Sequence, residues 1–153
     1  MSLGIARRIL MHYATMEKIL GGKQVLHKNI KSKKDLIILG TKGVSKNALL
    51  SLMEHLKLTI PQMAVLLSIS KRSIYRYSPQ QPFNRYISEH ILLIAEVVVK
   101  GSEVFRDIDT LRQWLNLPNK ALGNELPINL LNSSFGIEML MQELGRIEHG
   151  IIA

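Results

Sequence analysis

Residues 70 to 77 read Ser-Lys-Arg-Ser-Ile-Tyr-Arg-Tyr, a dense run of side-chain hydrogen-bond donors. If Ser70 caps a short helix here, Ile74 and Tyr77 share its inner side. Lys71, Arg72, Ser73, Tyr75 and Arg76 then point outward, with donors suited to phosphate oxygens and base edges. With Ser70 these are the candidate DNA-binding residues. The residues before them fit a helix-turn-helix, which needs a small residue where two helices cross, an apolar residue just after the turn, and two apolar anchors on the second helix. Ala64, Ile69, Ile74 and Tyr77 occupy those places in order. Ser68 stands in the turn where many such motifs place glycine, and a left-handed backbone there is costly for a residue with a Cβ. The plainer reading of the same spacing is a helical hairpin with a solvated basic face.

Catalytic chemistry is not spelled out elsewhere. Cysteine is absent, which excludes disulfides, thiolate metal sites and cysteine nucleophiles. His12, His27, His55, His90 and His149 are scattered, and none has a second histidine or a carboxylate three or four residues away. Gly21-Gly22-Lys23 is too short for a phosphate loop, and no nucleophile stands in a recognisable elbow. Glu89-His90 and Glu148-His149 are sequence neighbours, so on a helix they point about 100° apart and do not act as pairs. No catalytic residue, no metal and no cofactor are expected, and the chain does not read as an enzyme.

The elements that must position the basic cluster follow from charge and periodicity. The 153 residues suffice for one well-filled domain or two small ones. The longest apolar run, residues 91 to 99, contains Glu96 and falls far short of the roughly 20 residues a bilayer needs. The basic start lacks a clean signal core, so the cytoplasm is the expected compartment and no membrane the expected environment. The net charge of +8 is unevenly placed: residues 1–57 carry +8, residues 58–101 carry +3 and residues 102–153 carry −3. The basic part suits polyanions and the acidic part does not, although Lys31, Lys33 and Lys34 can equally just solvate a loop.

Ile5, Ile9, Tyr13, Met16 and Leu20 predict a leading helix that stops at Gly21-Gly22. Residues 23 to 34 are polar and without period, and read as a linker or mobile loop. Ser45 can cap a helix with Leu49, Leu52, Met53 and Leu56 inward, and Thr59 another with Pro61 in its first turn. Pro79 and Pro82 end the donor-bearing helix. From 84 to 100 the apolar positions run nearly round the helix, which is therefore either the centre of the monomer or packed on a second copy. Gly101 is expected to end it, and Ser102 to open a helix with Val104, Phe105, Ile108, Leu111, Trp114 and Leu115 inward. Residues 116 to 131 are punctuated by Pro118, Gly123 and Pro127, and a last helix runs from Phe135 to Glu148, ending at Gly150. Residues 36 to 39 are the only candidate strand and equally suit a helix. The class is all-α: a basic N-terminal extension with a helix (1–35), a helix-turn-helix domain with a long helix (36–101) and a small helical C-terminal domain (102–153).

The acidic third carries Trp114-Leu115-Asn116, Pro118-Asn119, Ala121-Leu122-Gly123, Pro127, Leu130-Leu131 and finally Gly145-Arg146-Ile147-Glu148-His149-Gly150. In that order, and over residues 36 to 153, the chain resembles the Xre/ParS-like antitoxins of the RES-Xre toxin-antitoxin family, most specifically in residues 104 to 153. The resemblance implies a two-part antitoxin that binds the operator DNA of its own operon through the helix-turn-helix and neutralises a RES-domain, NAD-consuming toxin through its C-terminal domain. A homodimer is expected. By that likeness Trp114, Asn116, Pro118, Asn119, Leu122, Gly123, Pro127, Leu130 and Leu131 shape the toxin-binding region, with Arg146, Glu148 and Gly150 at its working end. The sequence departs from the pattern at Arg106, where glycine is usual, at Asn124, where a second glycine often follows Gly123, and at Ser133, near a position often threonine. Arg146 and Glu148 can equally just solvate the last helical turn. A stand-alone dimeric helix-turn-helix repressor, its last third serving only dimerisation, is the alternative.

Overall fold

Eight side chains start most of the structure. Ser2, Ser32, Ser45, Thr59, Ser70, Asn84, Asp107 and Ser133 each accept a hydrogen bond from a backbone N–H two or three residues on, satisfying a donor that the first helical turn leaves unpaired. The computed structural model describes residues 2–150. Met1 and residues 151–153, the last of which close the stretch of resemblance, lie outside the described residues. The helices are α1 (Leu3–Ile19), α2 (Lys23–Leu26), α3 (Lys33–Lys42), α4 (Lys46–Leu56), α5 (Ile60–Leu67), α6 (Lys71–Arg76), α7 (Arg85–Phe105), α8 (Ile108–Leu115) and α9 (Ser134–Glu148). Two 3-10 turns, Lys120–Leu122 and Pro127–Asn132, join the last two. Among the described residues no strand forms; residues 36 to 39 lie within α3.

The long helix α7 is the axis. Ile91, Ile94, Ala95, Val97, Val98 and Val99 are buried completely, and α1, α3, α8 and α9 pack around them. Its apolar girth is covered within one chain, so α7 is the centre of the monomer. Met16, Ile19 and Leu20 bring the C-terminal half of α1 into the same core, whereas Ile5 and Ile9 on that face stay exposed.

Two segments differ from expectation. Gly101 does not end α7, which continues to Phe105. A Cβ at Gly101 would stand 2.3 Å from Leu111 Cδ1, so the glycine is a contact point that lets α8 lie close rather than a stop. The turn comes at Arg106, left-handed at φ 57°, and Asp107 rather than Ser102 caps α8. Ser102 Oγ donates back to Val98 O at 2.8 Å. The expected linker of residues 23 to 34 holds α2, packs Val25 and Leu26 on the core and buries Ile30, whose N–H donates to Glu17 Oε1 at 2.8 Å. Its polar composition hides three spaced apolar anchors.

Candidate functional site

The pair α5 and α6 is set by local chemistry. Thr59 and Gln62 form a reciprocal capping box, with Pro61 in the first turn where its missing N–H has no partner to lose. Ser68 turns the chain in the left-handed conformation, φ 56°, and Ile69 N–H donates to Ala64 O at 3.0 Å. Ala64 and Ile74 are buried where the helices cross, Ile69 packs partly, and Tyr77 stacks on Phe83 with ring centroids 4.3 Å apart. All four anchor positions expected from the sequence therefore hold α6 in place.

This leaves Lys71, Arg72, Tyr75 and Arg76 exposed together. Among the described residues neither Arg72 nor Arg76 is in an ion pair, so their guanidinium groups are available to an outside anion. Ser70 and Ser73 are more occupied: Ser70 Oγ accepts from Ser73 N–H at 3.1 Å, and the two hydroxyls lie 2.8 Å apart. They start the helix and set its register.

Sequence reasoning missed Lys46. Its Nζ donates to Tyr77 O at 2.9 Å and lies 3.5 Å from Tyr75 O, placing a cation on the last carbonyls of α6 where the helix favours one. The turn after α6 is also fastened to the start of α4: Lys46 N–H donates to Gln81 O at 3.1 Å, Asn47 N–H to Pro79 O at 2.8 Å, and Phe83 N–H to Val44 O at 2.8 Å. Gly43, at φ 99°, permits this, since a Cβ there would stand 2.5 Å from Phe83 O. No local pattern marks a lysine that reaches 31 residues along the chain.

The second candidate region divides by burial. Leu122, Pro127 and Leu131 are inside, so they shape the domain without reaching a partner directly. Trp114 is half-buried against Phe105, centroids 5.7 Å apart, and Leu130 is half-buried as well. Asn116 Nδ2 donates to Arg112 O at 2.8 Å and Asn119 Oδ1 accepts from Ala121 N–H at 2.8 Å, so both amides hold turns. Gly123 and Asn124 are both left-handed, at φ 72° and 65°. Pro118 and Gly123 are exposed.

Arg146, Glu148 and Gly150 lie exposed at the end of α9. Arg146 pairs with Glu143 at 2.9 Å, and Glu148 with Lys100 at 2.6 Å. The hydrogen bond from Lys100, followed by its charge, holds the Glu148 carboxyl below its ordinary range. What the sequence did not single out is the outer face of α9. Phe135 is 81% exposed and Met139 43%, at a spacing of four residues, and Arg146 follows seven later on the same side. An aromatic, a thioether and a guanidinium in one row are the side chains that anchor protein interfaces.

The family model described as Antitoxin Xre-like helix-turn-helix domain matches residues 35–96. The one described as Antitoxin Xre/MbcA/ParS C-terminal toxin-binding domain matches residues 100–150. A curated relative, Antitoxin Xre of Photorhabdus laumondii subsp. laumondii, is 32% identical over 79 residues, 51% of this chain and 53% of that protein. The chain spans about half the length of the curated relative it matches. The first match covers α4 to α6 and the second α8 and α9.

Proposed function

The chain belongs to the Xre-type antitoxins, with a helix-turn-helix domain and a C-terminal toxin-binding domain, and on that basis we propose that it neutralises a RES-domain, NAD-consuming toxin and represses its own operon. The observation that carries the toxin half is the row of Phe135, Met139 and Arg146 on the outer face of α9, where two large apolar side chains are left open in line with a guanidinium. Phe135 and Met139 supply the desolvated anchors, and Arg146 exchanges Glu143 for a toxin carboxylate or occupies the anionic end of its substrate pocket. Trp114, Asn116, Pro118, Asn119, Gly123 and Leu130 form the adjoining rim, Leu122, Pro127 and Leu131 hold it from within, and Glu148 and Gly150 end it.

In the DNA half, Lys71, Arg72, Tyr75 and Arg76 contact the operator, while Ser70 and Ser73 order the helix that presents them. The role is binding rather than catalysis, exercised in the cytoplasm. No helix among the described residues is long and apolar enough to cross a membrane. A second copy is part of the proposal, because helix-turn-helix proteins commonly read two half-sites with a symmetric pair.

The test is co-expression with the product of the neighbouring gene, the proposed RES-domain toxin, followed by affinity purification. Phe135→Glu and Met139→Glu are expected to lose co-purification while their thermal unfolding stays at the wild-type temperature. Retention of the partner by both variants would remove the α9 face from the interface. Failure of the wild-type chain to associate, with promoter binding intact, would leave a stand-alone repressor.

A further inference from the structure

Beside the turn that follows α6 lies a cleft of about 380 Å³ whose lining is mixed: apolar side chains such as Leu26 and Leu39 stand beside the polar and basic groups His27, Lys28, Lys42 and Gln80. No carboxylate of the described residues lines it. A cleft between α1 and the end of α9, by contrast, mixes Arg8 and Arg106 with the carboxylates of Glu103 and Glu148. Lys42 is exposed, and Lys28 reaches Asp35 at 3.3 Å while its side chain keeps 26% of its surface in solvent.

This cleft is fastened to the DNA-reading helix. Asn47 N–H donates to Pro79 O, and Lys46, between two lining residues, bonds the last carbonyls of α6. Gln80 lies three residues beyond Tyr77, the C-cap of α6, a separation of at most about 10 Å of chain. A duplex carries one phosphate charge per roughly 1.7 Å of its axis, so a duplex that runs past the C-terminal end of α6 brings several phosphates to this edge of the cleft. We propose that this cleft is a second DNA contact, in which Lys28 and Lys42 neutralise backbone phosphates flanking the bases read by α6. The inference rests on the DNA half of the proposed function and extends it to the segment between α1 and α4. It gives the basic N-terminal part a place on the operator that its composition alone left open.

The test is the salt dependence of binding by the full chain to a duplex taken from the DNA upstream of its own gene. Each neutralised phosphate contributes about −0.9 to the slope of log K against log salt. Lys42→Gln is expected to make the slope shallower by about 0.9 and the double variant Lys28→Gln, Lys42→Gln by about 1.8. Between 200 and 50 mM salt the wild-type advantage should therefore grow about 3.5-fold for the single variant and about twelvefold for the double. Lys120→Gln, an exposed lysine on the C-terminal domain, is expected to leave the slope unchanged. A wild-type slope in both cleft variants, or an equal loss in Lys120→Gln, would overturn the proposal while leaving α6 as the reader. A wild-type chain that binds no DNA would overturn the reading of α6, and this inference with it.

Discussion

Two glycines in α9 are expected to respond to the same substitution with opposite sign. Gly136 lies in the first turn, where its N–H donates to Ser133 Oγ at 3.0 Å. A Cβ there would stand 2.1 Å from Leu130 O, more than 1 Å inside ordinary contact, and 2.9 Å from its carbonyl carbon. The obstacle is backbone. It belongs to the turn Pro127–Asn132, which buries Pro127 and Leu131 and whose Leu131 O lies 2.8 Å from His90 Nε2. Such overpacking costs about 1–3 kcal/mol, and an immobile obstacle puts Gly136→Ala near the upper end. The gain in helix propensity, about 0.8–1 kcal/mol, leaves a net loss of about 2 kcal/mol. Among the described residues Gly145 has nothing within 4 Å of its added Cβ, so Gly145→Ala keeps only the gain. For a chain of this length each kcal/mol shifts Tm by about 2–4 °C. Thermal unfolding followed by circular dichroism should therefore place Gly136→Ala about 4–8 °C below the wild type and Gly145→Ala about 2–4 °C above it. Shifts of the same sign would refute the packing argument.

Arg106→Gly is expected to stabilise the chain by about 0.5–1 kcal/mol, because a left-handed residue with a Cβ costs about 1–2 kcal/mol and glycine returns part of that as lost chain entropy. A lower Tm would show that the arginine side chain does more than turn the chain. The Glu148 carboxyl titrates below its unfolded value because Lys100 donates to it. Its contribution is therefore present above the ordinary carboxylate range and lost as pH falls through the folded value. The Tm difference between wild type and Lys100→Gln should be fully present at neutral pH and shrink on acidification; a constant difference would exclude the link. Arg72→Ala and Arg76→Ala should each weaken binding to the upstream duplex with Tm unchanged, and unchanged binding in both would remove α6 from the groove.

The helix-turn-helix could be read from sequence because its determinants are local. Ser45, Thr59 and Ser70 are caps that look like caps, and Ala64, Ile69, Ile74 and Tyr77 keep a fixed spacing. The end of α7 could not be read that way. Gly101 has the propensity of a stop, yet Leu111 from the next helix needs the space of its missing Cβ, and that contact exists only after folding. The true stop, Arg106, has no propensity for its left-handed conformation. All three places where glycine was usual and absent, Ser68, Arg106 and Asn124, turned out left-handed, so the departures identified backbone geometry correctly.

The C-terminal site was less readable for a different reason. Leu122, Pro127 and Leu131 stood out in the motif but are buried, while Phe135 and Met139 resembled core residues and are exposed. On α9 the apolar residues Phe135, Ile137, Met139, Leu140, Met141 and Leu144 cover much of the helix, and periodicity does not say which of them faces in. The packing of α9 on α7 fixes it: Ile137, Leu140 and Leu144 go inside.

The proposed antitoxin role is tested most directly by measuring NAD in cells that express the product of the neighbouring gene, the proposed RES-domain toxin, with and without this chain. Preserved NAD on co-expression, and its loss when Phe135→Glu replaces the wild type, is the predicted result. NAD that falls equally in the presence of the wild-type chain, with both proteins soluble and expressed, would contradict neutralisation by α9.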